Sequence, residues 1–228
     1  MAQSDWTEMA NSLSAAAIAR AVTQGIDPPN GGDDFVRGFH ALQNTTGVFG
    51  EVVNGANFFP LAEGVRVEGA IQRRGDQNGT IMLCMLENND VTDNGYLLGF
   101  TDDEEPSHLV LVKGSPSDGL QETSSGLLLK STGTFAKSTW GHFRMDIIVQ
   151  PHGDVHIQLF QNANLATNPV TAPVWTAIDG MGEYIDDALG INSGSLPYAS
   201  GGYAGYAFYT SAINRQGFID HVRVARQL

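Results

Sequence analysis

The sequence predicts an all-β chain: an antiparallel two-sheet jelly-roll sandwich preceded by an N-terminal α-helix and an extended arm. Three observations carry that expectation. Hydrophobic residues make up 42% of the 228 residues and charged residues only 16%, which is enough apolar material for a real core. The polar remainder is rich in turn formers, with 27 glycines alongside many Asn, Ser and Thr, the usual makings of connections between short strands. From about residue 48 onward the hydrophobic pattern has a period of about two, the mark of half-buried strands. The expected division is therefore 1–47 for helix and arm and 48–228 for the sandwich, a size that one all-β domain accommodates.

Residues 1 to about 24 read as one helix. Asp5 with Glu8 three residues on is an Asx form of the capping box. Trp6, Met9, Ala10, Leu13, Ala16 and Ala17 share a stripe at helical spacing. Gly25 and Pro28-Pro29 stop it. The stripe is narrow and mostly alanine, so such a helix needs a surface to lie on, either its own domain or a neighbouring subunit. Residues 25–47 are a Pro/Gly/Asn-rich connector with apolar anchors at Phe35, Val36 and Phe39. It either crosses to another subunit or wraps its own sandwich.

Next come the alternating runs. Val65, Val67 and Gly69 interleave with Arg66, Glu68 and Ala70; Leu109 to Lys113 is apolar on both faces; Phe143, Met145, Ile147 and Val149 interleave with His142, Arg144, Asp146 and Ile148. A turn at Gln150–Asp154 leads into Val155, Ile157 and Leu159, alternating with His156, Gln158 and Phe160. Tyr206–Tyr209 and Phe218–Val224 close the chain as two more strands, giving about ten to twelve in all. Residues 175–202 are less regular, with one short helical turn expected over Glu183–Leu189 and a loop at Ser193–Pro197.

Charge and cysteine content exclude several classes. Twelve basic against 25 acidic residues leave a net charge of −13. Such a field repels phosphate backbones and anionic bilayers, so neither nucleic acid nor membrane is an expected partner. The single cysteine, Cys84, lies in the apolar run Ile81–Leu86 and reads as a buried structural thiol. The N-terminus shows neither the basic nor the apolar region of a signal peptide, and no stretch is long enough to span a bilayer.

The order of these segments resembles the laminin-G/concanavalin-like domains over roughly residues 60–228. Tyr96–Phe100, an acidic loop and His108–Gly114 resemble their central hairpin. Trp140-Gly141-His142 with its alternating strand, then Gly153-Asp154 and a second strand, resembles their next unit. Gly202–Tyr209 through Gly217–Val224 is similar to their terminal strand pair. The front of the chain, Ser4-Asp5-Trp6-Thr7 with the Ala-rich stretch and Gly25–Gly32, resembles the starts of tailed-bacteriophage virion proteins. That second resemblance implies a virion structural component, a capsid decoration or tail protein made in the host cytoplasm. Its expected partners are other virion proteins and further copies of itself. Trp6, Met9, Leu13, Phe35 and Phe39 would then be the docking residues of the arm.

The residues that could carry chemistry are few. A concanavalin-like glycoside hydrolase takes its carboxylates from one strand, and no Glu-x-Asp-x-x-Glu run occurs. No Gly-x-Ser-x-Gly elbow, phosphate loop or zinc spacing among the six histidines is found. The expectation is therefore a non-enzymatic protein without a resident cofactor. Asp102, Asp103 and Glu104, in a run ending at Pro106, are the candidate Ca²⁺ ligands, set against a plain solvated hairpin tip. For sugar binding, which needs an aromatic platform beside amides or carboxylates, the candidates are Trp175, Tyr198 and Tyr203. A host-surface glycan would be the ligand. Tyr206 and Tyr209 alternate onto opposite faces, so at least half of the aromatic group is expected in the core. The expected function is a virion structural protein displaying a lectin-like sandwich; the alternative is a carbohydrate-binding module, and behind it a glycoside hydrolase.

Overall fold

The computed structural model describes residues 6–8, 17–20, 37–41, 47–54 and most of 64–226. They form two antiparallel sheets. The first runs β1 (Trp6–Glu8), β4 (Gly47–Asn54), β14 (Tyr203–Thr210), β6 (Gly79–Leu86), β7 (Gly95–Phe100), β8 (Ser107–Gly114) and β9 (Leu127–Phe135). The second runs β12 (Trp175–Ala177), β11 (Val155–Asn162), β10 (Gly141–Val149), β5 (Val65–Arg74), β15 (Arg215–Arg226), β3 (Arg37–Ala41) and β2 (Ala17–Arg20). β13 (Glu183–Asp186) also pairs with β11, below β12. This is the expected all-β sandwich.

Between the sheets, alternate residues meet in one core. Val65, Val67 and Ile71 of β5, Phe143, Met145 and Ile147 of β10, and Val155, Ile157 and Leu159 of β11 face Leu83, Leu98, Leu111 and Phe208 of the first sheet. Phe143 meets Phe100 and Phe135 edge to face, and those two pack tilted on each other, with centroids 5.4–5.8 Å apart. The two sheets differ on their other faces. Behind the first lies a second apolar cluster of Met82, Cys84, Leu97, Val110, Val112 and Ala207, closed by Leu120 just after a 3₁₀ turn at Pro116–Asp118. Burial pushes the Cys84 thiol up to about 12, as a structural cysteine should behave. Across β5 and β10 the outer face of the second sheet carries mainly polar residues, Arg66, Glu68, His142, Arg144 and Asp146.

Two local expectations are corrected. Trp6–Glu8 and Ala17–Arg20 are strands, pairing with β4 and β3, so one helix over residues 1–24 does not form. An alanine-poor-in-area stripe stabilises a helix weakly, whereas a sheet edge offers each segment a ladder of backbone hydrogen bonds. Phe39 sits in β3 opposite Ile18 and Gly217. Met9, Leu13 and Phe35 lie outside the described residues. The described parts of 1–47 thus form backbone pairs within their own chain. Glu183–Leu189 is likewise not a helical turn: its first half is β13, and Asp187 ends it by accepting the backbone N–H groups of Leu189, Ile191 and Asn192. Those bonds, Asn192 first, hold the Asp187 carboxyl below the usual carboxylate range, and local Asx capture of this kind outcompetes a helix.

Candidate functional site

Cross-strand register builds a polar surface on the second sheet. One row runs Arg223, Glu68, Arg144, Phe160 and Ala177 across β15, β5, β10, β11 and β12. Above it, His142 stands opposite Ala70, and Asn162 opposite Trp175. Below it, Arg66, Asp146, Gln158 and Glu183 follow one another. Period two puts all of these on the face away from the core. β15 reaches the row through a bulge between Asp220 and Arg223, with His221 at φ 50°. The extra residue lets Val222 pack on the core while Arg223 turns outward beside Glu68.

Guanidiniums and aromatic rings interleave here. Asp146, 1% exposed, accepts from Arg66 Nε and Nη2 at 2.8 and 2.9 Å and from Arg144 Nη2 at 2.6 Å. The Arg144 guanidinium lies 4.4 Å from the Phe160 ring centre and 5.4 Å from that of Trp175. Trp175 also covers His142, ring centres 4.7 Å apart. His142 is 1% exposed, and neither ring nitrogen has a hydrogen-bond partner among the described residues. Burial, then His221 and Arg223, lower its pKa to about 4. Burial raises the Glu68 carboxyl against the pull of Arg223, Arg66 and Arg144.

Beside this face, at the ends of β10 and β11, lies a shallow cleft of ≈ 200 Å³. Trp140, Phe135 and Phe143 supply its aromatic wall, and Gln161, Asn162 and Asn164 its amides. Gln161 pairs with Phe143 and so belongs to the core side, while Asn162 and His142 belong to the outer side. The cleft therefore wraps the strand ends and joins the outer face. Asn162 also accepts the Val174 N–H at 3.1 Å, holding the approach to Trp175.

A second polar cluster is closed. Asp186, 0% exposed, accepts from Tyr96 Oη (2.5 Å), Ser193 Oγ (2.6 Å) and Lys113 Nζ (2.7 Å). Lys113 Nζ also donates to Ser193 Oγ and the Ser195 carbonyl, and lies 5.2 Å from the Tyr198 ring centre. Tyr96 Oη accepts the Tyr198 N–H at 3.2 Å. Burial, then Asp186, raises the Tyr96 pKa strongly, keeping the phenol protonated. Each member is satisfied by the others, so this knot ties the 187–199 loop over the sandwich.

The aromatic candidates from sequence are thus distributed, not assembled. Trp175 stands on the polar outer face, Tyr198 packs at the knot against the core, and Tyr203 packs on the second apolar cluster behind the first sheet. Tyr206 is in the core and Tyr209 in the second cluster. Asp102 is 2% exposed, with its amide bonded to the Leu120 carbonyl; Asp103 and Glu104 lie outside the described residues. Among the described residues no three His, Cys, Asp or Glu side chains come together as a metal site. Sequence reasoning passed over His142, Arg144, Phe160 and Gln161. Their signal was available in the alternation of β10 and β11, which places His142, Arg144 and Asp146 on one face.

No family model matches the chain, and no curated protein sequence matches it. Solved structures do. The carbohydrate recognition domain of Emp46p is similar in its metal-free form (TM-score 0.53, 12% identity, 99% of this chain and 89% of that one). Its potassium-bound form is similar too (TM-score 0.52, 9% identity, 99% and 90%). So is the carbohydrate recognition domain of Emp47p (TM-score 0.50, 11% identity, 98% and 89%). The chain has the concanavalin-like β-sandwich fold of those domains.

Proposed function

We propose that this chain is a carbohydrate-binding module, which holds its glycan on the outer face of the second sheet and in the adjoining cleft. The observation that carries this reading is the grouping of Trp175, Arg144, Phe160 and His142, which is buried and unpartnered among the described residues, beside a cleft lined by Trp140, Gln161 and Asn164. A pyranose presents an apolar face of C–H groups and an equatorial fringe of hydroxyls. Aromatic rings take the first, and amides, guanidiniums and imidazole take the second. Fold alone does not assign a function, but the same sandwich serves carbohydrate recognition in the Emp46p and Emp47p domains, which supports the reading.

Binding here proceeds without catalysis in this proposal. Asp146 is clasped by two guanidiniums, Glu68 is paired with Arg223, and Asp186 is sealed in its knot. None is placed as a poised acid facing a second carboxylate across an open cleft, as glycoside hydrolysis requires.

The test is affinity electrophoresis and calorimetry on a panel of soluble polysaccharides, comparing the parent chain with Trp175→Ala. The parent should bind at least one polymer, and the variant should bind it about tenfold more weakly or worse, the loss expected for one stacking ring. Absence of binding to the whole panel, or full affinity in the variant, overturns the proposal.

A further inference from the structure

The charge arrangement on the proposed face narrows the ligand, and this step rests on the reading just given. The chain carries a net charge of −13 with only twelve Lys and Arg, yet three of those twelve, Arg66, Arg144 and Arg223, share one small face. The carboxylates that register places on this face are Asp146, Glu68 and Glu183, with Asp220 at the position opposite Ala70. One of these, Asp146, is divided between Arg66 and Arg144. Arg223 is half exposed and reaches Glu68 across 3.5 Å, beyond ordinary hydrogen-bond length. Arg66 and Arg144 thus converge on one carboxylate, whereas among the described residues Arg223 has only the distant Glu68.

His142 gives independent support. It is buried on the same face with both ring nitrogens unpartnered among the described residues. Beyond burial, the neighbouring His221 and the Arg223 guanidinium lower its pKa further. An anionic group entering beside Arg223 would relieve both features, taking a fork of guanidinium N–H bonds and easing the positive field around the imidazole. A neutral sugar can accept from the guanidinium but brings no charge to offset its field.

We infer that the face built by Arg144, Arg223, His142 and Trp175 recognises an acidic saccharide, whose anionic group pairs with the Arg223 guanidinium while its ring stacks near Trp175. Carboxylate and sulfate ester share this chemistry, since both present coplanar or forked oxygens to a guanidinium. In an acidic protein the match is local: an acidic polymer is repelled by the rest of the surface and held only here.

The experiment is calorimetric titration of the full chain with four polymers: a polyuronate, the same polyuronate with its carboxyl groups reduced to alcohols, a sulfated galactan and the unsulfated galactan. The expected result is binding of the polyuronate or the sulfated polymer about tenfold or more tighter than its neutral counterpart. Arg223→Gln should remove most of that preference. The polymer preferred identifies the anion. Equal or tighter binding of the neutral counterparts overturns the inference and leaves the carbohydrate reading standing. Binding of none of the four, nor of any polysaccharide in the wider panel, overturns both. Should Arg223→Gln fold poorly, the comparison of each acidic polymer with its neutral twin on the parent chain decides alone.

Discussion

Two polar clusters, one on each side of β11, use similar residue types to opposite ends. In the knot, Asp186 meets Tyr96, Ser193 and Lys113, each at 2.5–2.7 Å, and Lys113 is itself buried. On the outer face, His142 is equally buried but unpartnered among the described residues, and Arg223 is half exposed with one distant partner. A fully satisfied network rigidifies a fold, whereas an incomplete one holds free energy available to a ligand. The contrast separates scaffold from binding surface where composition alone would class both as buried charge.

The largest test of that contrast removes a partner from the knot. Asp186→Ala leaves Lys113 and Tyr96 buried without their shared acceptor and should cost about 3–5 kcal/mol of folding stability, read from urea unfolding. A loss under about 1 kcal/mol, typical of an exposed pair, would show that the knot is open to solvent.

Next in size is the pH response of the outer face. With the His142 pKa lowered from 6.5 to about 4, the unfolded chain takes up a proton that the folded chain refuses. His142 therefore lowers stability as pH falls from about 6.5 towards 4, and by no more below that, a difference of about 3 kcal/mol. Chemical denaturation of the parent and His142→Phe should show this gap opening over that window, with the variant falling less steeply. Parallel curves would mean the imidazole is solvated.

The smallest effect should come from Arg223→Gln. The guanidinium is half exposed and its partner stands at 3.5 Å, so stability should change by roughly 0.5 kcal/mol or less. A thermal shift beyond a few degrees would place Arg223 in the scaffold instead of the binding face.

How legible was this in the sequence? The alternating runs became β5, β8, β10, β11, β14 and β15, because period two survives wherever one face meets a core and the other does not. The Gln150–Asp154 turn forms with its Gln150 N–H bonded to the Asp154 carbonyl at 2.8 Å and Gly153 at φ 100°. Cys84 is buried as its apolar run implied. The front of the chain was misread because helical spacing of alanines is a weak local signal, and the competing sheet edges are supplied by residues far along the chain, such as Val52 and Phe39. The site was half legible. Trp175 was named, and alternation put His142, Arg144 and Asp146 on one face, but bringing the two together takes the cross-strand register: Arg66 and Asp146 are 80 residues apart, and the knot joins Tyr96 to Asp186 across 90. Tyr198 and Tyr203 looked like further platform residues, yet loop and strand carry them to separate places.

The account places the ligand on the second sheet, and the three tryptophans of the chain report on that directly. Trp140 lines the cleft, Trp175 stands on the face, and Trp6 belongs to β1 at the edge of the other sheet. In a ¹⁵N-labelled sample titrated with a bound polysaccharide, the indole signals of Trp140 and Trp175 should shift together while that of Trp6 stays. A titration that moves Trp6 and leaves the other two in place would contradict it.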